Sequence, residues 1–147
     1  MPQEQTTTDP AAARQESLAR AKEWLVQEGD AIGRSAARNR DWHGQGRVLW
    51  EAAREETEPT VLLNLLHYQA ARNPNWENVL EPTAAAFRRA IGDAGGDKEL
   101  AMELIRHLLV YTLRAHTHAD WVRRENEKRE KKEAKERERR EPAGGRP

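Results

Sequence analysis

The chain has 147 residues, with 25 basic and 25 acidic side chains and no cysteine. The length predicts one domain, and the composition excludes disulfides, thiol catalysis and cysteine-based zinc sites. The longest stretch without a charged side chain, Pro59–Ala71, has 13 residues, which is shorter than the roughly 20 that a membrane span needs. We therefore expect a soluble, cytoplasmic protein that does not contact a membrane.

Charge and apolar residues are divided unevenly along the chain. Residues 121–147 contain only 4 apolar side chains, and their 11 basic residues face 7 acidic ones. Residues 1–120 carry a net charge of −4, yet the stretch 31–54 within them carries +3, and all of its cations are arginine. Arginine suits bidentate phosphate contacts and stacking on bases, so this stretch points to nucleic acid. A solvated helix face would explain it equally well.

Strand signals are nearly absent, and Ala, Leu, Arg and Glu dominate, which favours helices throughout. Residues 1–8 are polar and are expected to be disordered. Asp9 and Pro10 are predicted to begin the first helix as its N-cap and first residue. Gly29 is predicted to end that helix, and Asp30 is predicted to cap a short second one.

The middle of the chain is predicted to form a loop and three more helices. Residues 39–46 are rich in Asn, Asp and Gly, which is typical of a loop. Helices are predicted over about 45–55 and about 59–72, and the second of these is apolar nearly all round. We therefore expect it to be the central helix of the bundle. A further helix is predicted to begin near Pro82 and to end at the following glycines.

Asp97 is predicted to cap the last helix, and the charged residues beyond it favour continuation of that helix. Glu and Lys or Arg recur four residues apart over 123–140, and each such pair stabilises a helix by about 0.2–0.5 kcal/mol. The sequence thus predicts an all-α fold. It consists of a compact bundle of five to six helices over 9–122 and a charged, solvent-exposed, helical or disordered C-terminal tail over 123–147.

The string His116-Thr117-His118-Ala119-Asp120 resembles the HxHxDH metal-binding string of metallo-β-lactamase-like hydrolases, with Trp121 in place of the last histidine. That chemistry needs a β-sandwich and further ligands from distant loops, which this sequence does not predict. We rank a metal-dependent hydrolase last and expect two partly exposed histidines on a helix surface. No catalytic residue, metal or cofactor is predicted. Trp42, flanked by arginines, is a candidate for stacking on a base, with core packing as the alternative.

Three segments together resemble a known family. Residues 31–37, followed by Gln45-Gly46-Arg47-Val48-Leu49-Trp50, resemble the first half of the small-subunit family (Csm-type) of type III-A CRISPR effector complexes. Residues 65–72 resemble the L-x-Y-x-x-x-R helix of that family. The segments 87–91 and 100–113 resemble its last pair of helices. The resemblance covers about residues 31–115, in the order that the family shows.

The resemblance implies a non-catalytic helical bundle that takes part in antiviral defence. Several copies would stack head to tail beside other subunits of the effector complex and contact the guide RNA and the target RNA. Arg47 and Arg72 stand at motif positions that face nucleic acid, and local charge adds Arg34, Arg38 and Arg40. The sequence thus predicts an RNA-contacting small subunit of a ribonucleoprotein. The alternative is a helical protein-interaction module with no nucleic-acid role.

Overall fold

The structure is a computed structural model that describes residues 9–39 and 41–140. Within these ranges the chain forms five α-helices, one 3-10 helix and no strand, which confirms the predicted all-α bundle with a charged helical extension. The elements are α1 (Pro10–Ala36), α2 (Trp42–Glu55), α3 (Pro59–Arg72), the 3-10 helix Pro74–Trp76, α4 (Leu80–Asp93) and α5 (Lys98–Arg140).

α5 is the helix against which the others pack, and α1 runs parallel to it. Near the start of α1, Arg14 pairs with Asp97 at 3.2 Å and with Glu99 at 3.1 Å, beside the start of α5. Just after the end of α1, the carbonyl oxygen of Ala37 accepts a hydrogen bond from Arg123, at 3.2 Å. The two helices therefore stay in contact along the whole length of α1.

α2 runs antiparallel to α5. At the end of α2, the Arg106 side chain donates hydrogen bonds to the carbonyl oxygens of Ala53 and Glu56, at 2.7 and 3.0 Å. At its start, the rings of Trp42 and His116 lie 5.2 Å apart. Arg106 thereby satisfies carbonyl groups that the end of a helix leaves without an intrahelical partner.

The predicted helix end at Gly29 is wrong, because α1 continues without a break to Ala36. A Cβ atom at Gly29 would lie 2.7 Å from the Cβ of Tyr111, and one at Gly33 would lie 2.8 Å from the backbone nitrogen of His116. It would also overlap the carbonyl oxygen of Thr112. The glycines are thus contact points at which the α1 and α5 backbones touch. This packing outweighs the roughly 1 kcal/mol that each glycine costs a helix.

The predicted loop over 39–46 is wrong in its second half, because α2 begins at Trp42. Trp42 is buried, and its ring packs edge-on against Trp76, with the centroids 5.5 Å apart. Gly46 lies one turn later, where a Cβ would be 2.6 Å from the Trp42 ring. The glycine that suggested a loop therefore makes room for a buried indole. Core packing, the alternative considered for Trp42, is what the structure shows.

α3 has the predicted bounds, but it is not the central helix. Leu62 and Leu66 are buried, whereas Val61 and Tyr68 on its other side are 47% and 55% exposed. The continuous buried stripe belongs to α5, from Leu100 to Leu109. An apolar composition alone did not show which helix the others surround.

Asp97 caps α5 as predicted: its Oδ1 accepts a hydrogen bond from the backbone nitrogen of Leu100, at 3.1 Å. This hydrogen bond, with the nearby Arg14 guanidinium, lowers the pKa of the Asp97 carboxyl. Gly95 and Gly96 precede the cap with φ angles of 58° and 94°, a backbone region that glycine adopts readily. The turn into α5 is thus built by residues close together in sequence.

α5 has 43 residues, about 65 Å at 1.5 Å per residue. Its side chains from Asn126 to Arg140 are all exposed, so the last part of the helix is solvated, as the sequence predicts. No helix within 9–39 and 41–140 combines the length and apolar character needed to cross a membrane.

We expect Gly33→Ala to lower the free energy of unfolding by about 1–3 kcal/mol, because the added methyl group would overlap backbone atoms of α5. Gly44→Ala is the matched control, since a Cβ at Gly44 meets nothing within 4 Å. There the same exchange should be neutral or raise stability by about 0.5–1 kcal/mol. Urea unfolding followed by circular dichroism measures both. Equal stabilities of the two variants would contradict the close approach of α1 and α5.

We expect a chain truncated after Asn126 to melt at the temperature of the full chain, because the side chains removed from α5 are exposed. Truncation after Val122 also removes Arg123, which donates to Ala37 and pairs with Asp120. That shorter chain should melt a few degrees lower, about 3–5 °C for a loss of roughly 1 kcal/mol. A large fall after the first truncation would show that the extension packs on the body.

Candidate nucleic-acid interface

Two side-chain hydrogen bonds join the ends of three helices. The Asn39 amide nitrogen donates to the carbonyl oxygen of Asn75 at 2.8 Å. The Asn73 amide nitrogen donates to the side-chain oxygen of Gln45 at 3.1 Å. These contacts bring the end of α1, the start of α2 and the end of α3 to one end of the bundle.

Three of the predicted arginines lie at this end. Arg38 follows α1, Arg47 lies in α2 and Arg72 is the last residue of α3, and all three are exposed. Arg38 and Arg72 directly precede the tying residues Asn39 and Asn73, and Arg47 lies two residues after Gln45. We call this part of the surface the arginine end, defined by Arg38, Arg47 and Arg72. Its cations come from three separate elements, so sequence distance alone does not place them together.

The fourth predicted arginine, Arg34, already has an acidic partner. It lies in the last turn of α1 and pairs with Asp30 at 3.0 Å. Its side chain is 69% exposed, and an ion pair so open to solvent contributes about 0.2–1 kcal/mol at most. Arg34 can therefore change partners at little cost. Arg40 lies outside the described residues.

Tyr68 belongs to the arginine end, although the sequence analysis did not select it as a site residue. Its hydroxyl accepts a hydrogen bond from the Arg72 guanidinium at 2.6 Å, and that guanidinium lies 5.5 Å from the centre of the Tyr68 ring. Tyr68 is 55% exposed. An exposed ring beside a cation can stack on a base while the cation contacts a phosphate. The signal in the sequence was the spacing of four residues on one helix.

The histidine string does not form a metal site. His116 is buried, His118 is exposed and stacks on Trp121, and Asp120 pairs with Arg123 and Arg124. The expectation that both histidines are partly exposed is thus wrong for His116, which points into the bundle. Among residues 9–39 and 41–140, no group of three or more His, Asp or Glu side chains could hold a metal ion.

His116 sits in a buried aromatic cluster at the same end of the bundle. Its ring is 5.2 Å from Trp42 and stacks on His43 at 5.3 Å. Burial lowers the pKa of His116, and the nearby His43 lowers it further. Within the described part of the chain its Nδ1 has no hydrogen-bond partner. Folding therefore favours the neutral form of the His116 ring.

We expect stability to fall as the pH drops below about 6.5, the ordinary pKa of histidine. The unfolded chain binds a proton at His116 more readily than the folded chain, so lowering the pH below the ordinary histidine pKa favours unfolding. Above that pH, protonation of His116 does not change the stability. Between about pH 7.5 and about pH 5.5, the melting temperature of His116→Gln should fall less than that of the wild type. His67→Gln, at an exposed position of α3, should show the same fall in melting temperature as the wild type. Parallel pH curves for all three proteins would contradict this assignment.

Comparison with protein-family models, with curated proteins and with solved structures finds no match to this chain. The chain forms an all-α bundle with exposed arginines just after α1, in the first half of α2 and at the end of α3, and it extends one helix into solvent.

Proposed function

We propose that the protein is a non-catalytic, RNA-contacting subunit of a ribonucleoprotein complex. Its suggested role is that of the small subunits of type III CRISPR effector complexes, which stack in several copies along the guide RNA–target RNA duplex. The observation that carries the proposal is the arginine end, where Arg38, Arg47 and Arg72 are exposed and Tyr68 contacts Arg72. Arginines that contact phosphates do so without selecting a sequence, which suits a complex that must accept any guide.

The charge distribution of the bundle also supports stacking of copies. At the opposite end, where α2 ends and α5 begins, Glu55 is exposed, Asp97 and Glu99 pair with Arg14, and Glu58 pairs with Lys98. Stacking head to tail would place these carboxylates near the arginine end of the next copy. Opposite charges across such an interface favour the correct orientation of the partners.

A single copy should bind RNA weakly, because residues 1–120 carry a net charge of −4. Several aligned copies on one RNA would turn weak contacts into stable binding, since each further contact is made at a high local concentration. This expectation fits a subunit that acts as part of an array. It also explains why the arginines can be few in each copy.

We expect Arg47→Glu/Arg72→Glu to weaken binding of single-stranded RNA at low salt. If both side chains neutralise phosphates, the slope of log affinity against log salt should fall by about 0.7–0.9 for each arginine replaced. Fluorescence anisotropy at several salt concentrations measures both quantities. The melting temperature of the variant is recorded as well, because Arg72 also lies in the last turn of α3, where a cation stabilises the helix.

The control for this experiment is Arg20→Glu/Arg88→Glu, which makes the same charge change at exposed positions of α1 and α4. This control should retain most of the affinity and the full salt slope. Equal losses in the two double variants would mean that only net charge matters. Unchanged binding in both would favour the alternative function, a helical protein-interaction module.

A further inference from the structure

One side of α5 carries cations and an exposed aromatic ring beyond the arginine end. Arg114, Thr117 and Trp121 follow one another at steps of three and four residues, so they lie on one side of the helix. All three are exposed, whereas Thr112 and His116 on the other side are buried. This side of α5 therefore faces solvent while the opposite side packs on α1.

The same spacing continues into the extension with Arg124, Lys128, Lys131 and Lys135, all exposed. We call these positions, from Arg114 to Lys135, the α5 outer face. The six glutamates of 123–140 fall at other positions around the helix. The net charge of 123–140 is +4, and four of its ten cations lie on this face. Two of these have acidic partners: Arg124 pairs with Asp120 and Lys128 with Glu125.

Trp121 is the tryptophan that is open to solvent. It is 54% exposed, while Trp42 and Trp76 are each 1% exposed, and Trp24 and Trp50 are partly buried against the core. The His118 ring stacks on Trp121, with the centroids 6.2 Å apart and the planes 27° from parallel. One side of the indole is thus supported by a neighbouring ring in an orientation suited to stacking.

Two shallow depressions lie along the α5 outer face and share Arg114. One includes Trp121, Thr117 and Arg124 in its lining. The other lies between α2 and α5 and includes Trp50 and Tyr111. Arg114 thus links a depression that contains the partly buried Trp50 and Tyr111 to one that contains the exposed Trp121, and no carboxylate is among the residues that line either depression.

We propose that the α5 outer face binds single-stranded nucleic acid, with its lysines and arginines on phosphates and Trp121 stacked on an unpaired base. Cations beside an exposed ring are an arrangement that binds single strands without sequence preference. A duplex keeps its bases stacked inside, so it would leave Trp121 without a partner. The proposal goes beyond the proposed function, because it uses no residue of the arginine end.

The dimensions and the composition of the face fit this ligand. From Arg114 to Lys135 the face is about 32 Å long at 1.5 Å per residue, which is enough to meet several successive phosphates. A lipid surface would instead require a helix with a broad apolar side. Over 123–140 the chain has a single apolar residue, Ala134. The charge of the extension thus favours a polyanion in water.

The experiment compares two triple variants of the full chain. Lys128→Gln/Lys131→Gln/Lys135→Gln removes three cations from the α5 outer face. Arg129→Gln/Arg137→Gln/Arg140→Gln removes three from other positions of the same exposed segment. Both variants change the net charge equally, and glutamine is about as favourable in a helix as lysine or arginine. Binding is measured by fluorescence anisotropy with labelled oligo(U), oligo(dT), a duplex of equal length and polyglutamate.

We expect the affinity of the first triple variant for both single strands to fall about tenfold or more, and its salt slope to fall by about 0.7 for each phosphate that is no longer neutralised. The second triple variant should stay within about twofold of the wild type. Trp121→Ala should weaken single-strand binding about fivefold or more, and Trp121→Phe should restore much of it because a ring remains for stacking. The preference between oligo(U) and oligo(dT) distinguishes RNA from DNA as the source of the strand.

Four results would overturn this proposal: equal losses in the two triple variants, absence of single-strand binding, a loss of duplex binding in the first triple variant as large as its loss of single-strand binding, or equally tight binding of polyglutamate. The last would indicate an acidic protein as the partner. Arg47→Glu/Arg72→Glu leaves the α5 outer face intact. The binding measurements on these variants therefore test the arginine end and the α5 outer face separately.

Discussion

The close contact between α1 and α5 is the constraint on which the rest of the structure depends. Gly29 and Gly33 let the two backbones touch where any larger residue would push them apart. The contact runs from the Arg14–Asp97 pair to the hydrogen bond between Arg123 and Ala37. Because it fixes where α1 ends, it also fixes where the chain turns into α2. Two glycines thus help to hold the end of α1, and Arg38 after it, beside α5.

The surroundings of α5 change along its length. Its first half provides the buried stripe around which the bundle forms, its middle supplies the buried His116 and the exposed Trp121, and its last part is solvated on all sides. A helix can change environment in this way because its backbone hydrogen bonds are satisfied internally wherever it runs. The extension needs no core of its own, only residues that favour a helix and pairs of opposite charge.

The overall charge of zero conceals three separate distributions. Exposed arginines lie at one end of the bundle, carboxylates paired with Arg14 and Lys98 lie at the other end, and lysines and arginines follow one side of α5. Cations that are sorted in this way act together on a polyanion, whereas the same cations mixed with carboxylates would largely cancel. This sorting is the physical basis of both proposals. It arises partly from helix periodicity and partly from how the helices are arranged in space.

The sequence by itself determined the helical class, the bounds of α3, the caps at Asp9 and Asp97 and the solvated end of α5. These features depend on neighbours within a few residues, so local patterns reveal them. It also supplied the candidate arginines, but only the tertiary structure placed Arg38, Arg47 and Arg72 at one end and buried His116. Tertiary structure likewise decided the roles of the glycines, which look like helix breaks when seen alone. A glycine costs a helix about 1 kcal/mol, and only a second helix brought against it, as α5 is against α1, can offset that cost.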